Sequence, residues 1–258
     1  IELTIDKSFV NFSNFFNDCR NLIEIDFSNF DNNNIKNISY LFYNCDSLIE
    51  IKGLNNLDTS NIIDMSYLFY GCTSLQNINI NKIDTYSVFS MKYMFSNCKS
   101  LRSIDINNFS SKNLINIEGL FNGCSNLSEL SMYNFDFSSI KYMSKLFNGC
   151  SSLTSINIKH YNTVNSIDMS YMFNDCKSLI TINNINKLKT NKVISMNQMF
   201  HNCKSLTSLD LNELTTPNIT DIYQMFSGCN KLEYLNISNF NTSKISDMYY
   251  LFNNCFSL

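Results

Sequence analysis

Ten cysteines dominate the reactive chemistry of this sequence, and they recur at a nearly fixed interval. The chain has 258 residues, and successive cysteines are 26 or 27 residues apart. Zinc sites use closely spaced cysteine pairs, and an evenly spaced ladder of thiols cannot pair every member with both neighbours in disulfides. We therefore interpret the cysteines as buried free thiols that act as small apolar residues. They are Cys19, Cys45, Cys72, Cys98, Cys124, Cys150, Cys176, Cys203, Cys229 and Cys255.

Other residues that could support catalysis are few. His160 and His201 are the two histidines, and neither lies in a recognisable motif. His201 occupies an outward helix column with Tyr43, Asn148 and Asn253, and we expect it to be a solvated surface residue. The sequence contains no glycine-rich phosphate loop, zinc-protease motif or serine-nucleophile motif. We therefore predict no enzymatic activity, no cofactor and no metal.

Charge and hydropathy exclude two classes of partner. The net charge is −3, and 16% of the residues are charged, so we predict neither nucleic-acid binding nor a polybasic membrane patch. No apolar run approaches the ~20 residues of a membrane-spanning helix, and no signal peptide is visible at Ile1. We attribute the abundance of asparagine to an AT-rich genome.

The cysteines mark copies of an internal repeat. Each cysteine has Phe three residues before it and Leu three residues after it, from Phe16 and Leu22 to Phe252 and Leu258. One repeat cannot bury its own apolar face, and stacked copies share one continuous core. The chain begins within a predicted strand segment at Ile1, ends within a repeat and shows no polar capping repeat. We therefore expect residues 1–258 to be one solenoid domain of about ten repeats, cut from a longer protein.

The segment before each cysteine has the apolar spacing of a short helix, as in Ile219, Ile222 and Met225. Gly, Asn or Asp directly precedes every cysteine, which is typical of a left-handed helix C-cap. A hydroxyl column predicts the N-caps, and Pro217 would take the first helical position. The hydroxyl column is Thr59, Thr85, Ser111, Thr163, Thr190, Thr216 and Thr242.

The segment after each cysteine has the alternation of a short strand. Leu153, Ile156 and Ile158 give the pattern L-x-x-I-x-I, and consecutive copies would form parallel strands ~4.8 Å apart. One extra residue near Gly53 and another near Asn184 predict local bulges, with Leu54 and Ile185 turned inward. A methionine column would fill the core: Met65, Met91, Met143, Met169, Met196 and Met248.

Two surfaces are candidates for binding. The first is the outer side of the strands, the concave face of the sheet, which is polar and mildly acidic. Its alternative interpretation is a solvated ladder of hydrogen-bonded side chains. The candidate residues there are Glu24, Asp26, Glu50, Lys52, Asn79, Asp105, Glu129, Asn157, Asn183, Asp210, Tyr234 and Asn236.

The second surface is a column of tyrosines five residues before the cysteine, away from the predicted core stripe. Tyrosine is common at interfaces, and partial burial between neighbouring helices is the alternative interpretation. The members are Tyr40, Tyr67, Tyr93, Tyr171 and Tyr250.

The repeat resembles the BspA-type leucine-rich repeat, including the mycoplasma-type repeat of unknown function. The segment from Asp58 to Leu75 carries the resemblance, and Asn241 to Leu258 repeats it. The resemblance implies a leucine-rich-repeat solenoid on a secreted or surface-anchored protein, often proposed to mediate adhesion. A second resemblance, to the cysteine-containing repeat of intracellular F-box proteins, rests on Ile219 to Asp221 with Gly228 to Leu232.

These features predict an α/β leucine-rich-repeat solenoid, with one short strand and one short helix per 26–27 residues. Its parallel sheet would line the concave face. We expect a binding module at the cell surface for a protein or glycan, without nucleic-acid binding or direct membrane insertion. The alternatives are a structural solenoid that self-associates laterally or end to end, and a cytoplasmic adaptor.

Overall fold

The chain forms a parallel β-solenoid in which each repeat makes one turn. The computed structural model describes residues 10–30 and 35–258. The strand expected at Ile1 lies outside these residues. Each turn contributes a short strand on one side and a tightly turned segment ending at the cysteine on the other.

The strands pair in parallel and in register. The central apolar residue of each strand faces its counterpart, as Ile25 faces Ile51 and Leu209 faces Leu235. Residues 77–79 carry the same pattern but form no assigned strand. The pairs are β1 (Glu24–Asp26) with β2 (Glu50–Lys52), β3 (Ser103–Asp105) with β4 (Glu129–Ser131), β5 (Ser155–Asn157) with β6 (Thr181–Asn183), and β7 (Ser208–Asp210) with β8 (Tyr234–Asn236).

The prediction of a short helix before each cysteine is wrong. In the repeat that ends at Cys98, the N–H groups of Met91, Tyr93 and Phe95 donate to carbonyls of the next repeat at 2.8–3.0 Å. Between them, Met94 N–H donates three residues back to Met91 C=O at 3.1 Å, and Lys92 N–H donates to Ser90 Oγ at 3.4 Å. An α-helix would bond every N–H to the carbonyl four residues back. The segment is therefore a series of tight turns joined to its neighbours by a backbone ladder.

Two left-handed residues in each repeat produce these turns. The residue before the cysteine has a positive φ in all ten copies, between 55° and 77°, which confirms the predicted left-handed backbone but not the helix. The residue five before the cysteine also has a positive φ, between 52° and 61°, and includes the tyrosine column. A left-handed conformation costs a non-glycine residue roughly 1–2 kcal/mol. The ladder bonds on either side contribute a similar amount.

The hydroxyl column does not cap helices. Thr59 Oγ1 accepts the N–H of Asp84 at 2.7 Å, and Thr163 Oγ1 accepts that of Lys189 at 2.8 Å. Both donors lie in the following repeat, so the buried hydroxyls join adjacent turns of the solenoid. Pro217 lies second in a turn closed by Ile219 N–H and Thr216 C=O at 3.4 Å, a position that suits its fixed φ.

The two extra residues lie after the strands and not within their pairing. Gly53 and Asn184 are left-handed, with φ of 65° and 63°, and each is followed by a single 3-10 turn. These turns are Leu54–Asn56 and Ile185–Lys187. Leu54 and Ile185 are each 5% exposed, which confirms that they point inward, although the predicted bulges are wrong.

One hydrophobic core cluster runs from Phe12 to Leu251. The phenylalanines before the cysteines stack on one another, from Phe16–Phe42 at 5.6 Å to Phe226–Phe252 at 5.7 Å between ring centroids. The methionine column is buried as predicted up to Met196, whereas Met248 is 44% exposed. Such aromatic pairs are worth about 0.5–1.5 kcal/mol each beyond their burial, so the stack stabilises the solenoid along its length.

The left-handed position before the cysteine gives a stability prediction. Gly149 has a φ of 73°, and a Cβ there would meet Gly123 Cα at 3.4 Å, an ordinary contact. Gly149→Val should therefore lower the free energy of unfolding by more than about 1 kcal/mol through backbone strain. Gly149→Asn is the matched control, because asparagine tolerates this conformation. Equal denaturant midpoints for the two variants would contradict the assignment.

A second stability prediction concerns Tyr161, which is 3% exposed and stacks on Phe137 at 3.9 Å. Its hydroxyl has no hydrogen-bond partner among the described residues. An unsatisfied buried hydroxyl costs about 1–3 kcal/mol, so Tyr161→Phe should raise the free energy of unfolding by about 1 kcal/mol. Phe109→Tyr, in the same core column, should lower it. Chemical denaturation measures both, and a destabilised Tyr161→Phe would refute the prediction.

Candidate binding surface

Except for Asn79, which lies outside the strands, the strand-face residues predicted to bind lie in parallel rungs. Glu24 faces Glu50, Ser208 faces Tyr234, and Asp210 faces Asn236 across the pairs. Lys52 Nζ contacts Glu24 at 3.2 Å and Glu50 at 3.8 Å. These pairs are exposed, and exposed pairs contribute little to stability. The rungs are as predicted, and binding by them stays a prediction.

Much of this face is engaged in its own turns. Asp26 Oδ1 accepts the N–H of Ser28 at 2.7 Å, and the hydrogen bonds from Ser28 hold the pKa of Asp26 below its ordinary value. The same turn closes after five other candidates, which reduces the acceptor capacity left for a ligand. These are Asn79, Asp105, Asn157, Asp210 and Asn236.

The tyrosine column forms a cluster on three successive repeats. The ring centroids of Tyr40 and Tyr67 are 4.6 Å apart, and those of Tyr67 and Tyr93 are 5.3 Å apart. A second stacked pair, Tyr43 and Tyr70 at 4.8 Å, lies beside them. We call these five residues the tyrosine cluster. They are half-buried, with faces covered by neighbouring rings. The partial burial lies between tight turns and not between helices, and binding by the tyrosine column stays a prediction.

The cluster ends where a glycine replaces tyrosine. The Tyr93 ring lies over Gly119, where a Cβ would meet the ring at 2.2 Å. Tyr93 Oη donates to Glu118 Oε1 at 3.0 Å, and Lys92 Nζ contacts Glu118 Oε2 at 2.9 Å. Burial raises the pKa of the Tyr93 hydroxyl, so it remains a donor at neutral pH. This network fixes the last ring of the cluster.

A shallow depression of about 400 Å³ opens beside the last rings. Lys145 Nζ lies 5.6 Å from the ring centroid of Tyr171, outside the cluster. Tyr250 is also outside the cluster, 51% exposed beside Tyr249. The structure therefore brings together three of the five predicted tyrosines. The depression is lined by Tyr67, Tyr70, Tyr93, Asn122, Lys145 and Asn148.

An asparagine ladder continues the row of Tyr43 and Tyr70. Asn122 Nδ2 donates to Ser96 Oγ at 2.9 Å, and Asn174 Nδ2 donates to Asn148 Oδ1 at 2.6 Å. Asn148 bridges the two halves by donating to Asn122 Oδ1. The amides of Asn122 and Asn148 each keep a second N–H for a ligand, whereas Asn174 Nδ2 also donates to Asp175 Oδ2 at 3.4 Å. The asparagine ladder therefore continues the tyrosine cluster along the solenoid with polar side chains at the equivalent position of each repeat.

His201 ends this ladder and is not the solvated surface residue that the sequence suggested. Its Nδ1 lies 2.7 Å from Asn174 Oδ1. Because that oxygen can only accept, the Nδ1 nitrogen carries the hydrogen. Burial lowers the pKa of His201, against a smaller opposing effect from Asp175.

The cysteines form a third ladder, inside the core. Those from Cys45 to Cys229 are buried and free, which confirms the interpretation of buried thiols, whereas Cys19 is exposed. Each Sγ donates to the carbonyl of the phenylalanine column one repeat earlier, as Cys124 does to Phe95 at 3.0 Å. Burial raises the pKa of Cys124 to about 12. A thiol this weakly acidic is a poor nucleophile and metal ligand.

The described residues contain neither a metal-binding cluster nor a membrane-spanning helix. Over 10–30 and 35–258, no group of three or more His, Cys, Asp or Glu side chains is placed to hold a metal ion. Within these ranges no helix has the length and apolar character needed to cross a membrane.

Comparison with known protein families identifies the family of this chain. Four overlapping segments match the family described as "Mycoplasma protein of unknown function, DUF285": residues 10–130, 48–154, 102–208 and 178–258. The chain belongs to this family. The match confirms the resemblance to the BspA-type, mycoplasma-type repeat rather than to the F-box type. The description of the DUF285 family names no activity.

Solved structures similar to this DUF285 protein share low sequence identity. A leucine-rich repeat protein from Bacteroides ovatus ATCC 8483 is 18% identical, covering 96% of this chain and 81% of that chain, with a TM-score of 0.41. The T. pallidum leucine-rich repeat protein is 22% identical over 66% and 72%, with a TM-score of 0.49. A leucine-rich cell surface protein from Faecalibacterium prausnitzii A2-165 is 18% identical over 92% and 81%, at 0.45. No curated protein matches this sequence.

Sequence reasoning missed Tyr43, Tyr70, Lys145 and the asparagine ladder. The signal was available, since the residue two before the cysteine is tyrosine in two consecutive copies and asparagine in five others, three of them consecutive. The predicted helix hid this pattern, because it would have placed these residues on a solvent-exposed face with no contacts between repeats.

His201, at the end of the asparagine ladder, predicts a pH dependence of the free energy of unfolding. The folded pKa of His201 lies below its ordinary value of 6.5, so the unfolded chain takes up the proton first as the pH falls. Stability due to His201 is therefore complete above about pH 6.5 and declines below it until the folded pKa is passed. His201→Asn should remove this part of the decline while extending the ladder.

The matched control is His160→Asn, at an exposed position. Urea titrations of wild type and both variants on either side of pH 6.5 measure the effect. An unchanged pH profile in His201→Asn, or an equal change in the control, would contradict the buried neutral imidazole.

Proposed function

We propose that residues 1–258 form a single non-enzymatic binding domain whose ligand surface is the tyrosine cluster and the depression beside it. The observation that carries this proposal is the lining of the depression. Three tyrosines, two asparagine amides and Lys145 converge there on a rigid ladder. Tyrosine combines apolar area with a hydrogen-bonding tip and is enriched at interfaces.

The chemistry of the surface suits a protein or glycan ligand. The second N–H groups of Asn122 and Asn148 supply donors, and the Lys145 ammonium supplies a positive charge. Since the rings and amides are already held by their neighbours, binding would order few side chains, which favours affinity. The strand face, with exposed Glu24, Glu50 and Tyr234, would serve as a second contact area.

We further infer a role in adhesion or recognition at the cell surface. The support is the resemblance of the repeat to the BspA-type repeat, which is usually carried by surface proteins. A binding solenoid without a catalytic centre needs exposure to its ligand, and a surface location provides it.

Protease treatment of intact producing cells, followed by mass spectrometry of released peptides, tests the location. We expect peptides such as those around Tyr67 and Tyr93 to be released before lysis. Their appearance only after lysis would contradict a surface role and would favour a cytoplasmic adaptor.

Binding through the tyrosine cluster is tested with Tyr67→Asn, which removes a central ring while keeping a residue that tolerates the left-handed backbone. Retention on arrays of matrix proteins and glycans should fall at least about tenfold, as for loss of an interface hot spot. Tyr250→Asn, in the same column and 51% exposed outside the cluster, should leave retention unchanged. Equal effects of the two variants would refute the assignment of the ligand surface.

A further inference from the structure

A row of exposed apolar side chains lies on a different column from the tyrosine cluster. Ile63, Phe89 and Ile115 each come nine residues before a cysteine, in three consecutive repeats. Ile63 is 53% exposed and Phe89 45% exposed, while Ile115 is half-buried. We call these three residues the apolar ridge. Three successive apolar residues on the solvent side of a rigid ladder mark a candidate interaction surface.

The backbone fixes the spacing of the apolar ridge. Phe89 N–H donates to Ile63 C=O at 2.9 Å, and Ile115 N–H donates to Phe89 C=O at 2.9 Å. The next residue of each repeat forms a parallel bridge, as Asp64 does with Ser90. The side chains therefore repeat at the rung distance of parallel pairing, about 4.8 Å.

Lysines bracket the apolar ridge in the same column. Lys36 lies one repeat before Ile63, and Lys141 lies one repeat after Ile115, where its N–H donates to Ile115 C=O at 2.9 Å. Both side chains are exposed. Within residues 10–30 and 35–258, neither ammonium forms an ion pair. The nearby Asp64 carboxylate is occupied by the N–H of Ser66 at 2.8 Å.

This charge pattern disfavours a second copy of the chain as the occupant. In a parallel pair centred on Phe89, Lys36 would meet Lys36 of the other copy. In an antiparallel pair, Lys36 would meet Lys141. Both arrangements place like charges together, which acts against self-pairing, whereas a partner with carboxylates at both ends would complement the lysines.

The spacing distinguishes a helical partner from an extended one. Apolar residues three or four apart on a helix advance about 5.3 Å, which departs from the rungs by about 1 Å over two intervals. Alternate residues of a strand advance about 6.7 Å and depart by about 4 Å. A helix can therefore place one apolar residue at each rung, and a strand cannot.

We propose that the apolar ridge binds an amphipathic α-helix of a partner protein that lies along the solenoid axis. The apolar stripe of that helix contacts Ile63, Phe89 and Ile115. Its carboxylates, one turn beyond each end of the stripe, pair with Lys36 and Lys141. The site is separate from the tyrosine cluster, so it does not depend on the ligand proposed above.

The test uses a capped, fluorescein-labelled helical peptide of about 18 residues. It carries three leucines at helical spacing and glutamates one turn beyond each end of them. Fluorescence anisotropy measures its binding to the whole chain. Two further peptides have lysines in place of the glutamates, or the same composition with leucine at every second position. We expect the glutamate helix to bind at least about tenfold more tightly than either.

Variants of the chain locate the binding. Phe89→Ser should weaken the glutamate peptide at least about tenfold, and Lys36→Glu with Lys141→Glu should reverse the preference between the two helical peptides. Ile194→Ser is the matched control, because Ile194 belongs to the same column and is 49% exposed outside the apolar ridge. Unchanged thermal unfolding of each variant separates lost binding from lost folding.

Three results would overturn the proposal. One is tighter binding of the alternating peptide, and another is glutamate-peptide binding that is absent or insensitive to Phe89→Ser. The third is a dimer of the chain in sedimentation velocity that Phe89→Ser dissociates, which would assign the apolar ridge to a second copy.

Discussion

The backbone ladder between successive turn segments is the interaction on which the rest of this solenoid depends. Alternate N–H groups from Met91 to Asn97 donate to the next repeat, and those between them close tight turns within their own repeat. Two left-handed residues, Tyr93 and Asn97, make this alternation feasible. If these segments were helices, their N–H groups would be satisfied internally, and adjacent turns would be joined on that side by side-chain packing alone.

The ladder explains why like residues recur in columns. Equivalent positions in adjacent turns lie one rung apart, so rings of the phenylalanine column and of the tyrosine cluster stack, and amides of successive repeats bond to one another. The abundance of asparagine and aspartate has a structural reason beyond genome composition. Side chains in three columns accept N–H groups of their own turns, with Asp58, Asp64 and Asp26 as examples.

Much of this could be predicted from sequence because it depends on periodicity. The repeat, the strand registers, the buried phenylalanine and cysteine columns and the left-handed residue before each cysteine all follow from residue type at a fixed spacing. The helix did not follow, because apolar spacing alone does not separate a helix from tight turns in which the same side chains point inward. The deciding feature was the second left-handed column, where tyrosines such as Tyr40 and Tyr67 hide a conformation that only Asn14 and Gly119 suggest.

The candidate surfaces were predictable only in part for the same reason. Tyr67 and Tyr70 are three residues apart and would share a face in a helix as well, but only the inter-repeat ladder stacks each of them on the tyrosine of the neighbouring repeat. The ring centroids of Tyr67 and Tyr70 are 5.7 Å apart. The apolar ridge was also hidden from sequence reasoning. Its exposed side chains line up only because backbone hydrogen bonds join the turn segments of successive repeats. Local chemistry indicated the residues, but the inter-repeat register determined which of them meet.

The most direct test of the ladder is the scalar coupling across the hydrogen bond of Phe69 N–H in an isotopically labelled sample. The structure pairs this N–H with Met94 C=O in the next repeat at 2.9 Å. A helix would pair it with Met65 C=O, four residues back. Coupling from the Phe69 nitrogen to the Met94 carbonyl carbon is the predicted result, and coupling to the Met65 carbonyl carbon would contradict the account.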